Sequence, residues 1–425
     1  MNYYYKCSSC KKEFSPDELG KEYIYLCPRC GNAERNKPLK GVLEIIYDYQ
    51  KIINGIGKER LRAMFAGQIW DYPFLFPLAY SYDEKRSKYS LDKIEERLLN
   101  KIRLPLNNIV EVNESGNNLL VFDDSLNPTL SYKDRASILV CLFAIQNGIK
   151  NIAAASTGNA GSSLAGIASK LALSSHIFAP SKIPASKRIQ IQSFGSKLYL
   201  VDGTYDDAFD LCMEVCGRLN WYNRNTAYNP LTIEGKKSAA FEIYSFFEDN
   251  IPEYIFVPVG DGVIIKGLYK GFWELKELNM ISNIPKLIAV QAEGSNAVCR
   301  FIKDSQFSFQ PTSTIADSID AAAPRNLYLA ADAVHKSGGY CIEVSDSEIM
   351  NAQQKLAREH GLLSEPASSA SLAGLQKSVK LYPDINFENS LLMLTGNGLK
   401  DTASLEKWNN QPVVKSYTDW TEELT

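Results

Sequence analysis

Short apolar runs and stretches of helical spacing alternate along residues 145–225. Each apolar run is short enough for a buried strand, and each is followed by apolar positions at intervals of three and four residues, which predict a helix. The three strand–helix pairs are 151–155 with 162–173, 174–180 with 185–194, and 197–201 with 206–219. Strands that alternate with helices of this length indicate parallel βαβ units. The pattern therefore predicts a small α/β domain in this region.

Four further apolar runs lie on either side of this region and are predicted as strands. They are residues 119–122, 254–259, 286–291 and 391–394. Helical spacing covers residues 90–102 and 131–145, continues from Gly267 to about Asn279, and begins again after Glu365. The whole chain is therefore predicted to belong to the α/β class.

The composition is that of an ordinary globular protein. The chain has 425 residues, of which 45% are hydrophobic and 22% charged, and its net charge is −3. These values give no support to nucleic-acid binding or to a basic membrane-binding surface. No apolar run is long enough to cross a bilayer, and the first residues lack the apolar core of a signal peptide, so a cytoplasmic location is the default expectation.

Four of the nine cysteines form two pairs with the spacing of a tetrahedral zinc site. Two residues separate Cys7 from Cys10 and Cys27 from Cys30. No catalytic polar pattern surrounds them, so a structural zinc ion in a zinc-ribbon-like segment is predicted, with iron or two disulfides as alternatives. The other cysteines lie in apolar contexts and are predicted to be buried free thiols: Cys141, Cys212, Cys216, Cys299 and Cys341.

A single lysine, Lys133, is placed at the first turn of the helix predicted at 131–145, after the turn-forming pair Asn127-Pro128. The positive end of the helix dipole disfavours the protonated form of such a lysine and helps to leave a nucleophilic amine. Amines of this kind form Schiff bases with carbonyl cofactors. By itself the position is more typical of a surface lysine on a solvated helix.

Two glycine-containing turns connect predicted strands to helices. Ser156-Thr157-Gly158-Asn159-Ala160-Gly161 offers backbone N–H groups and two hydroxyls, which suit a carboxylate. The turn that begins at Gly260 lacks both the phosphate-loop and the dinucleotide spacing, so a single phosphate is the better fit. Each turn would also be compatible with a plain capping role. Thr395, at the end of the last strand, places a hydroxyl where parallel sheets bind ligands.

Together these residues resemble the threonine synthase branch of the fold-type II pyridoxal-phosphate enzymes, the tryptophan synthase β superfamily. The resemblance covers residues 100–405 and rests on Asn127-Pro128-Thr129, Ser131 to Arg135, Ser156 to Asn159, and Thr395 to Asp401. It implies that Lys133 holds the cofactor covalently, that Asn159 bonds the cofactor's ring hydroxyl, and that Thr395 bonds its pyridine nitrogen. It further implies a phosphate loop formed by Gly260, Asp261, Gly262, Val263 and Ile264, with Ser156 and Thr157 holding the substrate carboxylate.

The resemblance also implies an architecture. It predicts two three-layer αβα domains with parallel-rich sheets, after the zinc-ribbon-like segment at residues 1–40. The large cofactor domain would comprise residues 41–144 and 226–425, and the small substrate-binding domain residues 145–225. An amino-acid substrate and assembly as a homodimer complete these expectations.

The expected chemistry is elimination or replacement at the β or γ carbon of an L-amino acid. A hydroxyl such as that of Thr395 holds a pyridinium charge less firmly than a carboxylate would, which favours this chemistry. Lys133, once released from the cofactor, would shuttle protons between substrate carbons.

The chain departs from threonine synthases where those enzymes hold the phosphate of O-phosphohomoserine. Thr232 occupies an arginine position, where the resemblance implies contact with the substrate. Two hydroxyl positions are Ala160 and Ala227, and the phosphate loop has Asp261 in place of asparagine. A non-phosphorylated substrate is therefore the first hypothesis, and a true threonine synthase the alternative. The second would need replacement cations, for which Lys187, Arg188 and Lys236 are the candidates. A third hypothesis is a non-catalytic binding protein that kept the fold.

Overall fold

The computed structural model describes residues 3–19, 24–114, 117–410 and 412–424. The strands are β1 (Tyr3–Cys7), β2 (Glu13–Phe14), β3 (Leu43–Tyr47), β4 (Tyr80–Asp83), β5 (Lys88–Leu91), β6 (Ile109–Glu114), β7 (Asn117–Asp123), β8 (Asn151–Ala155), β9 (Ser174–Pro180), β10 (Lys197–Val201), β11 (Tyr222–Asn223), β12 (Tyr254–Pro258), β13 (Lys286–Ala292), β14 (Cys341–Val344) and β15 (Ser390–Leu394).

The α-helices alternate with these strands over most of the chain. They are α1 (Pro16–Leu19), α2 (Tyr49–Ile56), α3 (Lys58–Phe65), α4 (Glu96–Leu99), α5 (Lys133–Gln146), α6 (Asn159–Lys170), α7 (Ala185–Ser193), α8 (Tyr205–Leu219), α9 (Leu231–Phe247), α10 (Val263–Glu277), α11 (Ala297–Asp304), α12 (Leu327–Lys336), α13 (Asp346–His360), α14 (Pro366–Leu381), α15 (Thr402–Glu406) and α16 (Tyr417–Leu424). Short 3₁₀ turns connect several of them, including Asp317–Ile319.

A six-stranded sheet with the order β14-β13-β12-β15-β7-β6 forms the larger layer. All neighbouring strands pair in parallel except β6, which is antiparallel to β7 at the edge. The central strands β12 and β15 are buried at every position. Strands that helices cover on both faces read as continuous apolar runs, which is why the sequence pattern identified them.

A second sheet has the order β10-β9-β8-β11 and is parallel throughout. Its strands lie between residues 151 and 223, as the βαβ pattern predicts. The α/β fold class is confirmed. The domain boundaries at residues 40, 144 and 225 stay a prediction, although β1 and β2 of the first segment form their own small sheet with β3.

Helices α5, α9 and α10 pack closely because glycines remove side chains at the crossings. A Cβ on Gly235 of α9 would lie 2.4 Å from the carbonyl oxygen of Arg135 in α5. A Cβ on Gly271 of α10 would lie 2.5 Å from the carbonyl oxygen of Lys237. The three helices therefore form a rigid layer that fixes Lys133 relative to the first turn of α10.

Two predicted elements are wrong in detail. Residues 90–102 do not form one helix: β5 ends at Leu91, the backbone of Lys93 has φ of 60°, and α4 covers only Glu96–Leu99. Residues 90 and 91 belong instead to β5, which pairs with β4 as an antiparallel hairpin. Helix α10 starts at Val263 and not after Gly267, because Gly262 takes the left-handed conformation that ends the preceding loop.

The prediction of free thiols is wrong for one pair of cysteines. Cys299 in α11 and Cys341 in β14 form a disulfide across 42 residues, with their Cα atoms 5.4 Å apart. Each residue alone lies in an apolar context, and only the packing of α11 beside β14 shows that they are neighbours. Cys141, Cys212 and Cys216 are buried free thiols, as predicted. Among the described helices, none has the length and apolar character needed to cross a membrane.

Candidate active site

The carboxyl ends of β8, β12 and β15 face a single cavity, which lies where ligands bind in parallel sheets. The structure brings nearly all the predicted site residues to its wall. Those that line it are Lys133, Ser156, Thr157, Asn159, Gly260, Asp261, Gly262, Val263, Ile264 and Thr395. Residues more than 260 positions apart therefore meet at one site.

Lys133 is the first residue of α5, and its half-buried side chain reaches the cavity. Its amine makes no hydrogen bond or ion pair with any residue that the structure describes. Burial lowers the pKa of this lysine below its ordinary value, partly opposed by the negative charge of Glu365. Desolvation therefore produces the reactive amine that the helix-dipole argument predicted.

Buried polar contacts hold the start of α5 in place. The Asp134 carboxylate accepts hydrogen bonds from the backbone N–H and the hydroxyl of Thr129, at 2.7 and 2.5 Å. Arg135 donates two hydrogen bonds to Asp124, at 2.6 and 2.7 Å, and a third to Glu242 at 2.7 Å. Thr129 before Lys133 and the two residues after it, Asp134 and Arg135, are therefore held in place. The Lys133 side chain takes no part in these contacts and is free to react.

Asn159 lies at the start of α6, with an amide that is only half satisfied. Its Nδ2 donates to the Glu365 carboxylate at 2.6 Å and to the Ser318 hydroxyl at 3.0 Å. Its Oδ1 is buried and has no hydrogen-bond donor among the described residues. Beneath this loop, Lys187 is ion-paired with Asp317 at 2.6 Å and lies 3.6 Å from Glu365. The Asn159 Oδ1 at the cavity wall can therefore accept a hydrogen bond from a polar ligand.

The two hydroxyl residues before Asn159 differ in their roles. The Ser156 hydroxyl accepts hydrogen bonds from the backbone N–H groups of Gly158 and Gly161, both at 2.9 Å. It therefore shapes the loop. Thr157 lines the cavity and also a neighbouring chamber of about 530 Å³ between the small sheet and residues 309–323.

Thr232, also predicted to contact substrate, does not line this cavity. Its hydroxyl donates to the carbonyl of Asn229 at 2.7 Å and accepts from the N–H of Ala227 at 3.2 Å. The side chain is fully buried and closes the first turn of α9.

The predicted phosphate loop joins β12 to α10. A Cβ on Gly260 would lie 2.8 Å from the backbone of Ile319, so the two segments can approach each other only because the position is glycine. The first N–H groups of α10, on Val263, Ile264 and Ile265, have no acceptor among the described residues. The helix start is therefore ready to bind an anion.

Asp261 does not face this helix start with a free carboxylate. Its Oδ1 accepts from the backbone N–H of Arg325 at 3.0 Å, and its Oδ2 lies 3.5 Å from the Tyr205 hydroxyl. Burial raises the pKa of the Asp261 carboxyl, and Arg325 and Lys236 oppose this. The repulsion expected between this residue and a phosphate is thereby reduced.

Replacing Gly262 with alanine is expected to destabilise the protein by about 1–3 kcal/mol and to weaken cofactor binding. The residue has φ of 82°, and an added Cβ would lie 2.5 Å from the Cβ of Ala330. Urea unfolding and cofactor titration check this. Gly217→Ala is the control, because its Cβ would meet no atom within 4 Å and its helical position should gain about 0.5–1 kcal/mol. Equal behaviour of the two variants would contradict the argument.

Thr395 follows β15 and is tied by backbone contacts to the segment that contains Lys133. The N–H of Tyr132 donates to the Thr395 carbonyl at 3.0 Å, and the N–H of Asn397 donates to the Leu130 carbonyl at 3.1 Å. The Thr395 hydroxyl makes no hydrogen bond with the described residues. Lysine and hydroxyl are therefore held in fixed relative positions.

Sequence reasoning assigned no role to several residues of the site. Glu365 and Ser318 bind Asn159, Tyr205 lines the cavity beside Asp261, and Arg325 contacts the phosphate loop. A signal for Glu365 existed, since Glu365-Pro366 opens a small-residue helix in the same region. The others lie outside any motif.

Arg325 connects three parts of the molecule. Its backbone N–H binds Asp261, one guanidinium nitrogen donates to the carbonyls of Glu34 and Lys37 at 3.3 and 3.2 Å, and another pairs with Asp206 of α8. The cysteine-containing segment, the small sheet's helix and the phosphate loop therefore share one buried arginine.

The four predicted metal ligands cluster at the other end of that segment. The Sγ atoms of Cys7, Cys10, Cys27 and Cys30 all lie within 4.8 Å of one another. Cys7 and Cys30 are 3.4 Å apart and Cys10 and Cys27 are 3.7 Å apart. A tetrahedral ion with metal–sulfur bonds of about 2.3 Å has sulfur–sulfur distances of about 3.8 Å, so the cluster fits one ion.

The residues of the cavity also fit pyridoxal phosphate. Among the described residues, the unpaired amine of Lys133 suits the cofactor's aldehyde, and the unpaired N–H groups at the start of α10 suit its phosphate. The free hydroxyl of Thr395 suits the ring nitrogen, and the half-satisfied amide of Asn159 suits the ring hydroxyl. Each of these protein groups has the chemistry needed to bind the cofactor group assigned to it.

Comparison with known proteins agrees with this geometry. A family model described as "Pyridoxal-phosphate dependent enzyme" matches residues 101–396. Threonine synthase of Methanosarcina acetivorans is 32% identical over 97% of this chain and 96% of its own length. That of Methanocaldococcus jannaschii is also 32% identical, over 96% and 95%. Among solved structures, threonine deaminase isoform 2 from Solanum lycopersicum superposes with a TM-score of 0.60 at 20% identity, covering 73% of this chain and 91% of its own.

Proposed function

Because the chain belongs to the family of pyridoxal-phosphate dependent enzymes, in its threonine synthase-like branch, we propose that it catalyses elimination or replacement at the β or γ carbon of an L-amino acid whose leaving group is not a phosphate. The first half of this proposal rests on the cavity around Lys133. The second half rests on the surroundings of Thr232.

The residues that line the cavity would have different roles in this reaction. Bound there, pyridoxal phosphate supplies an electron sink for the bonds at the substrate's Cα. The Lys133 amine takes the Cα proton and returns it to Cβ or Cγ, and its lowered pKa makes it a competent base. Ser156 and Gly158 shape the loop whose N–H groups hold the substrate carboxylate, and Thr157 contributes its hydroxyl. The Asn159 amide, held by Glu365 and Ser318, would orient the bound cofactor.

The preference for a non-phosphorylated substrate rests on three positions, Thr232, Lys187 and Arg188, none of which offers a free positive charge to a substrate phosphate. Thr232 replaces the arginine of the related motif, and its hydroxyl is used within α9. Lys187 lies between two carboxylates, Asp317 and Glu365, so its charge is already balanced. Arg188 is not among the residues that line the cavity. A neutral or cationic leaving group suits these surroundings best.

A true threonine synthase is the second candidate, and one observation favours it. Lys236 lines the cavity as a buried amine without a carboxylate partner among the described residues. The relatives that match almost the whole chain are named threonine synthases. Under this candidate, Lys236 would replace the missing arginine.

Phosphate release from O-phosphohomoserine separates the two candidates. Holoenzyme is incubated with this substrate and, in parallel, with amino acids that carry neutral or cationic groups on Cβ or Cγ. We expect turnover only with members of the second set, followed by keto-acid or ammonia release and by mass spectrometry of the amino-acid product. Threonine formed from O-phosphohomoserine at ordinary enzyme rates would refute the first candidate and establish the second.

We also propose that the four-cysteine cluster holds one structural zinc ion. Protein purified without chelator is expected to contain one zinc per chain by atomic emission, and Cys10→Ser with Cys27→Ser to contain none. Ser8→Ala is the matched control and should keep the ion. Freely reactive thiols in a zinc-free wild-type protein would overturn this assignment.

A further inference from the structure

Two cations beside the cavity are buried without an ion-pair partner among the described residues. Lys236 in α9 is 2% exposed, and its amine makes no hydrogen bond or ion pair with the residues that the structure describes. Arg224 is fully buried, and among the described residues its guanidinium donates only to the hydroxyls of Thr226 at 3.1 Å and Ser137 at 3.4 Å, while its Nε has no acceptor there. Buried charges are normally paired, so these two cations suit an anionic ligand.

Lys236 lies at the phosphate-loop end of the cavity, and Arg224 lies behind the wall, hydrogen-bonded to Thr226. Lys236 and Thr226 line the cavity wall together with Gly260 and the start of α10. A Cβ on Gly267 would lie 2.8 Å from the Cβ of Lys236, so this side chain leaves α9 directly beside the first turns of α10.

The charges around Lys236 are mostly positive. Burial lowers the pKa of this lysine well below its ordinary value, and Arg224 and Lys133 lower it further, while Asp261 is the opposing charge. Burial also lowers the pKa of Arg224 to about 10. Asp261 cannot neutralise both cations, because one carboxylate carries at most one negative charge.

We propose that Lys236 and Arg224 form the cationic half of the cofactor's phosphate site, facing the unpaired N–H groups of α10. A phosphate at this position would contact the helix start on one side and the Lys236 amine on the other. Its charge would balance both cations and outweigh the single carboxylate of Asp261. The shared chemistry is a phosphate monoester, and the place of Lys236 beside the glycine loop assigns it to the cofactor and not to a substrate. The inference requires only that pyridoxal phosphate binds, whichever substrate is used.

Comparing pyridoxal 5′-phosphate with pyridoxal isolates the phosphate contact. The full-length apoprotein is titrated with each compound, followed by visible absorbance, for wild type, Lys236→Gln and the exposed α10 control Lys276→Gln. Lys236→Gln is expected to weaken binding of the phosphorylated cofactor about 30-fold or more and to change pyridoxal binding less than about 3-fold. The control should leave both affinities unchanged.

The stability of the apoprotein provides a second readout that a structural lysine would not give. Removing an unpaired buried cation relieves its desolvation, so Lys236→Met apoprotein is expected to melt at a higher temperature than wild-type apoprotein. The same variant should gain less thermal stability when the phosphorylated cofactor is added.

Three outcomes would overturn the proposal. Equal weakening for both cofactor forms would show a structural role, and no weakening for either would show that Lys236 does not contact the phosphate. Unchanged cofactor binding combined with weaker binding of O-phosphohomoserine would assign the lysine to the substrate instead. This last result would also favour the threonine synthase candidate. If Lys236→Gln instead loses the preference for the phosphorylated cofactor over pyridoxal, the substrate is still decided by the phosphate-release assay.

Discussion

Lys133→Ala protein is expected to lose turnover by about 10³-fold or more and to lose the covalent attachment of its cofactor, while its fold is retained. The alanine removes the amine that both holds the cofactor and moves the substrate protons. The amine lies in the cavity and has no hydrogen-bond or ion-pair partner among the described residues, so its removal leaves none of them unsatisfied. Turnover and cofactor attachment should therefore decrease far more than the stability of the fold.

Borohydride reduction followed by peptide mass spectrometry measures the attachment directly. In wild-type protein the cofactor mass should be found on the peptide that contains Lys133, and in the alanine variant on no peptide. Lys150→Ala, an exposed lysine just after α5, serves as the control and should behave as wild type. A cofactor adduct on another lysine in wild-type protein would refute the assignment of Lys133.

Arg135→Met is expected to have the opposite profile, with a loss of about 3–5 kcal/mol in the free energy of unfolding. The guanidinium bridges Asp124 and Glu242, and all three side chains are almost fully buried. Removing it leaves two carboxylates in an apolar layer, where each must take up a proton or remain unpaired. Urea unfolding of the apoprotein gives the change without interference from cofactor binding.

An exposed ion pair provides the comparison. Arg97 pairs with Glu95 at 2.5 Å, but both side chains are more than half exposed. Arg97→Met should change the unfolding free energy by less than about 1 kcal/mol. A loss for Arg135→Met as small as this would mean that the buried triad does not hold α5 in place.

Much of the site was predictable from sequence because it consists of strand ends and helix starts. Continuous apolar runs identify β8, β12 and β15, and the polar residues that follow them must lie at one edge of the sheets. This reasoning located Asn159, Gly260 and Thr395 without any contact information. It placed the start of α10 too late because four residues before Gly267 also continue the helix.

What the sequence could not show depends on which side chains meet. Three features depend on packed neighbours: the disulfide between Cys299 and Cys341, the pairing of Lys187 with Asp317, and the lack of an ion-pair partner for Lys236 among the described residues. Thr232 illustrates the same limit: the motif position was visible, but its hydroxyl proved to be used inside its own helix. Charge counting along a chain cannot decide which charges are compensated.

The buried guanidinium of Arg325 would couple the proposed metal site to the cofactor site. The carbonyls of Glu34 and Lys37 hold Arg325, and the backbone of Arg325 holds Asp261 at the phosphate loop. An ion bound by the four cysteines would therefore lower the cost of ordering the loop. By reciprocity, a bound cofactor would raise the affinity for that ion by the same factor.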